Sequence, residues 1–154
     1  MQARVGDSFE NSIPQLIERW EHFPHEADMG VRGFGRTLGE AFAAAATAMT
    51  AIITEPSQIE PTQRFRFACS GADPELLLYD FLNRLVYEMA VEGRLFGRFR
   101  VGVEGENLNA EAWGESVDRL RHQPTVEIKG ATFTQLAVRQ ADQGLWVAQC
   151  VLDI

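Results

Sequence analysis

Two helix starts are spelled out in this chain, and the segments around them read as strands. Thr37-Leu38-Gly39-Glu40 is a capping box: the Thr37 hydroxyl can accept from the Glu40 amide while the Glu40 side chain reaches back. Leu38, Phe42, Ala45, Met49, Ile52 and Ile53 then share one helical stripe, and Pro56 follows its end. The second start is Asp73-Pro74, a capping acid with proline at the first helical position. Its stripe of Leu78, Phe81, Leu82, Leu85, Val86 and Met89 is dense and wide, as suits a helix laid over a sheet. Gly93 stands where a C-terminal cap is expected.

Alternation marks the strands. Trp20 to Phe23 reads as a short edge strand stopped by Pro24, and Val31 to Gly35 as its neighbour. Phe65, Phe67 and Cys69 face one way in the next strand, Arg64 and Arg66 the other. From Arg94 onward strand follows strand. Phe99, Val101 and Val103 alternate with Arg98, Arg100 and Gly102; a turn centred on Gly105 leads to a strand over 107–116. Residues 124–140 read as one long strand bulged at Gly130, 141–144 as a hairpin turn, and 145–154 as the return strand. The order β-β-α-β-α-β-β-β-β, joined by short turns, predicts an α+β fold. It would be a single compact domain, an antiparallel or mixed β-sheet with two α-helices packed on one face. Residues 1–19 mix charges, Pro14 and scattered apolar positions, and read as an N-terminal extension, with a docking helix as the alternative; the domain proper is 20–154.

Charge narrows the function. The chain has 154 residues, enough for one real core, and a formal net charge of −8. That balance gives no overall pull toward phosphate backbones, so strong direct nucleic-acid binding is not expected, although local basic patches stay open. A basic protein partner would be steered toward such a surface. The apolar segment Leu38 to Ile53 is too short to span a membrane, and the N-terminus lacks the pattern of a secretory signal, so the expectation is a cytoplasmic protein with no membrane partner. Cys69 and Cys150 lie in apolar, strand-like runs without metal spacing and read as buried free thiols; a disulfide would need the fold to bring them together.

No catalytic signature is present: no Walker loop, GxSxG, HExxH or zinc spacing. Gly33 and Gly35 before Thr37 faintly resemble a phosphate loop, but the spacing fails and no lysine follows; tight packing of strand on helix explains them. His25 and Asp28 share the glycine-punctuated stretch HEADMG, where the imidazole could orient the turn or the carboxylate. Asp153 precedes the terminal Ile154, so two anionic groups leave one strand end. If Asp28 lies beside them, three carboxylates converge and call for a counter-charge, which a hard divalent cation with oxygen ligands supplies. His122 follows Arg121 in what reads as a polar loop open to a binding role, and Asp80, Asn83 and Tyr87 form a polar line on the second helix that could dock a partner.

HEADMGVRGFGRTLGEAF resembles the archease motif, H-T-A-D-x-G followed by a short strand and a helix opening T-L-x-E-A-F. DPELLLYDFLNRLVYEMAVEGRLF resembles the second helix of that family and its exit, VEIKGATF its late strand, and the terminal LDI its acid-plus-aliphatic ending. The resemblance runs from about Trp20 to Ile154 with the blocks in order. It implies a compact α+β domain and a non-catalytic protein partner of the RtcB-type tRNA-splicing ligase, promoting guanylylation of the ligase and repeated turnover in tRNA processing. It further implies a divalent cation, Ca2+ first and Mg2+ or Mn2+ as alternatives, held by Asp28, Asp153 and the Ile154 carboxylate. His25, His122, Lys129 and Asp80 are then candidates for partner contact or site support. Glu26 stands where the family usually has Thr, and Thr134 where a His is common, which puts any role of that His in doubt. The alternatives are a chaperone-like adaptor in RNA processing or modification with a structural metal, and a small metal-dependent phosphohydrolase, disfavoured by the few ligands and the lack of a nucleophile.

Overall fold

A computed structural model describes residues 19–154. The N-terminal extension and its docking-helix alternative lie, apart from Arg19, outside the described residues. The strands are β1 (Trp20–His25), β2 (Asp28–Gly35), β3 (Gln63–Ser70), β4 (Arg94–Glu104), β5 (Asn107–Ser116), β6 (Gly130–Ala131), β7 (Ala137–Gln140) and β8 (Trp146–Asp153). The helices are α1 (Leu38–Ile53), α2 (Pro74–Ala90) and a single turn, α3 (Arg119–His122). Among the described residues no helix is long and apolar enough to cross a membrane.

The fold is α+β with antiparallel pairing throughout, but its strands divide between two sheets. One runs β1-β2-β8, with β6 and β7 both pairing on the far side of β8; the other runs β3-β5-β4. Helices α1 and α2 each touch both sheets. The helices therefore do cover one face of each sheet, and the second sheet closes over them.

Glycine sets how closely α1 is gripped. A Cβ on Gly33 of β2 would lie 2.3 Å from the Ala41 carbonyl oxygen, and one on Gly39 of α1 would lie 2.0 Å from the Val101 carbonyl oxygen. The helix backbone thus meets one strand on each side. Small side chains suit such a gap, and Ala41, Ala44, Ala45, Ala46 and Ala48 are all buried. The two glycines near the faint phosphate-loop resemblance are packing residues. The Thr37 hydroxyl accepts from the Glu40 amide at 3.1 Å, and the Glu40 carboxylate accepts from the Arg36 amide at 2.9 Å, one residue earlier than a standard capping box. Asp73 caps α2 by accepting from the Glu75 amide.

Three local expectations are corrected. Pro24 does not stop β1, which continues to His25; the strand is an edge, so the missing N–H costs no ladder bond. The long strand over 124–140 is two short ones, β6 and β7, parted by residues 132–136 with Gln135 at φ +51°. There the Thr132 amide and hydroxyl both donate to the Val151 carbonyl, and the Val151 amide donates to the Thr134 carbonyl. Those bonds satisfy the edge of β8 without a continuous ladder. The supposed polar loop around His122 is α3, capped by Asp118, whose carboxylate accepts from the Leu120 and Arg121 amides. Cys150 is buried, and Cys69 half-buried; both are free, and burial pushes the Cys150 thiol up to about 12.

Candidate functional site

One end of the five-stranded sheet gathers most of the singled-out residues. β1 turns into β2 through Glu26 and Ala27, with Glu26 at φ +57°, and this tight hairpin sets His25 opposite Asp28. In the next pair Met29 lies opposite Leu152, so one step further along the register Asp28 faces Asp153. Asp153 in turn pairs Gly130 of β6, and its carbonyl accepts from the Lys129 amide at 2.8 Å. The Ile154 amide donates to Asp28 Oδ1 at 3.2 Å. His25, Asp28, Asp153, Ile154 and Lys129 thus occupy four neighbouring chain segments at one sheet end.

Strand parity sorts this row. Residues directly opposite share a face, so Asp28, Asp153 and His25 lie on one side, together with Gly30, while Val31 is buried toward α1. The Phe23 ring lies over Gly30: a Cβ there would sit 2.2 Å from Cζ of the ring. That is the reason for glycine directly after the acid turn. Asp28 is half-buried, Asp153 exposed, and Ile154 half-buried against the core.

The donors are all oxygen. Two side-chain carboxylates and the Ile154 carboxylate suit a hard divalent cation and not a thiolate- or imidazole-preferring one. Among the described residues no three side chains of His, Cys, Asp or Glu cluster tightly enough to hold a metal. Lys129, the single lysine of the chain, is exposed beside Asp153 and anchored there by its own backbone.

His122 and Asp80 do not join this row. His122 is 2% exposed. Its Nδ1 accepts from the Asp118 amide at 2.8 Å, so the ring hydrogen of the neutral form sits on Nε2, which donates to Glu115 at 2.8 Å. Glu115 is gripped by Arg121 through two bonds of 2.7 Å, and that guanidinium holds its carboxyl down at about 2. This cluster clamps α3 onto β5 and encloses the His122 ring. Asp80 is exposed on α2, close enough to Cys69 to add to the burial that raises its thiol. Asn83, read as part of a docking line, is instead a clamp: the Ala131 amide donates to its Oδ1 at 2.9 Å, tying β6 to α2 beside Lys129. An amide side chain among apolar helix positions was the available signal, but its backbone partner lies 48 residues away.

Comparison with known proteins shows the family and the fold. Residues 20–154 match the model of the archease protein family. A protein archease of Pyrococcus furiosus is 39% identical over 142 residues, covering 90% of this chain and all of that protein. One from Aeropyrum pernix is 38% identical over 140 residues, covering 88% of this chain and 96% of its own length. The solution structure of Methanobacterium thermoautotrophicum protein 1598 superposes with a TM-score of 0.76 at 30% identity, covering 88% of this chain and 98% of that one. A Thermotoga maritima structure described as an archease, possible chaperone, shares the fold at a TM-score of 0.60 and 18% identity, covering 87% of this chain and 96% of that one.

Proposed function

The chain belongs to the archease family, and on that footing we propose that it is a non-catalytic, cation-binding activator of an RtcB-type tRNA-splicing ligase. It promotes guanylylation of the ligase and multiple turnover. The observation that carries this reading is the bond from the Ile154 amide to Asp28. It joins the acid turn near one end of the domain to the last strand, making one anionic site from residues far apart in sequence.

Asp28, Asp153 and the Ile154 carboxylate are the ligands, with Ca2+ the preferred ion and Mg2+ or Mn2+ the alternatives. When bound, the cation supplies positive charge at the sheet end and a surface for an oxygen ligand from the partner. The protein residues do the rest. The hairpin fixes Asp28, β6 fixes Asp153, and His25 and Lys129 stand at the rim where the ligase or its nucleotide would approach. The net charge of −8 favours docking on a basic ligase surface. The exposed side of α2, with Asp80, Leu76 and Tyr87, offers a second contact. The setting is the cytoplasm.

Ligase turnover tests the reading. An enzyme acts alone, an activator is silent alone and changes its partner's rate, and an adaptor binds without changing the chemistry.

A further inference from the structure

The three-stranded sheet has a face turned away from both helices. Leu108, Ala110 and Ala112 of β5 point into the core, so Asn107, Asn109, Glu111 and Trp113 lie on the outer side. The register sets an arginine on each side of Trp113, Arg64 from β3 and Arg98 from β4. One row along, Arg66 and Arg100 flank Glu111. Glu111 pairs with Arg64 at 3.3 Å and Arg100 at 3.5 Å, and the Arg100 guanidinium lies 5.6 Å from the Trp113 ring centroid. Arg66 and Arg98 are exposed and form no ion pair among the described residues. Two adjacent rows therefore hold four arginines against one acid, in a chain of net charge −8. The next row, Ala68, Asn109 and Gly102, lines a shallow groove together with Arg66, Arg100 and Glu104.

We propose that this face binds a single strand of nucleic acid. Exposed arginines without ion pairs contribute little to folding, yet their forked guanidinium groups match phosphate oxygens. Same-face positions along a strand are about 7 Å apart and neighbouring strands about 5 Å, so the cations form a compact lattice and not a scattered set. Trp113, flanked by arginine on both sides, is what separates a nucleic acid from an acidic peptide. A half-exposed indole within a cationic sheet face stacks any base, whereas a carboxylate-rich peptide leaves it unused. The face belongs to the other sheet from the acid row and does not depend on the ligase reading.

The test is fluorescence anisotropy of the full chain titrated into a labelled single-stranded oligouridylate RNA. About three phosphate contacts predict that affinity falls roughly 20-fold between about 50 and about 200 mM salt. Arg66→Glu with Arg98→Glu should abolish most binding and flatten that salt dependence, while Arg139→Glu, on β7 of the other sheet, should change little. Trp113→Phe should retain most of the affinity and Trp113→Ala lose roughly tenfold. Should the arginine variants fold poorly, the wild-type salt slope and the weaker binding of the same strand in a duplex carry the test. Binding that ignores salt, that survives the double charge reversal in a folded protein, or that is matched by a polyglutamate competitor overturns the proposal.

Discussion

The amide of Ile154 donates to the carboxylate of Asp28 across 126 residues of sequence, at 3.2 Å. Asp28 thereby has two roles, as an acceptor that orders the end of β8 and as an anion in the proposed cation site. Asp28→Asn separates them. The amide oxygen can still accept from Ile154, so the stability change should stay within about 1 kcal/mol. The charge is lost, so Ca2+ affinity measured by calorimetry should fall at least roughly tenfold. Full retention of affinity would remove Asp28 from the ligand set.

The third ligand group proposed is the main-chain carboxylate of Ile154. Residues added after Ile154 move the carboxylate away and should weaken Ca2+ binding while leaving the thermal midpoint nearly unchanged. Unchanged Ca2+ affinity in a C-terminally tagged protein would count against that ligand.

Much of this site was legible as residue types and little of it as geometry. The acid turn and the acid strand end stand out in the sequence, but their meeting depends on β8 pairing with β2, a long-range choice that local pattern does not encode. The capped helices were readable because Thr37 and Asp73 act on amides two or three residues away. The run over 124–140 misled because apolar alternation continues through residues whose bonds go to Val151 by turns and not by a ladder. His122 misled because Asp, Arg and His in succession look solvated, and its partners Glu115 and Thr54 come from other elements. The outward alternation of Arg64, Arg66, Arg98 and Arg100 was visible; that β3 and β4 both flank β5 was not.

The Glu115 cluster gives a pH signature. Its carboxyl titrates near 4.5 in the absence of partners and at about 2 in the folded protein, chiefly because Arg121 bonds the charged form. A depressed carboxyl contributes stability that is complete above the unfolded value and lost as pH falls toward the folded one. Glu115→Gln should therefore be less stable than wild type at neutral pH, by about 1–3 kcal/mol. The gap in urea midpoints should narrow between about pH 4.5 and about pH 2. A gap independent of pH over that window would contradict the assignment.

The grip on α1 predicts a contrast between two glycines. Gly39→Ala drives a Cβ against the Val101 carbonyl, where backbone on both sides cannot yield, and should cost at least about 1–3 kcal/mol in denaturant unfolding. Gly102→Ala, with no atom within 4 Å of the new Cβ, should stay within about 0.5 kcal/mol. Equal effects would mean that α1 is not clamped between the sheets.

The most direct test of the account is multiple-turnover RNA ligation by the cognate ligase with GTP and Mn2+. It is run without this protein, with it, and with Asp28→Ala. The account predicts that the wild-type chain raises turnover, that the variant does not, and that neither ligates RNA alone. Equal stimulation by both would detach the acid row from the function, and no stimulation of an active, turnover-competent ligase by either would contradict the activator role.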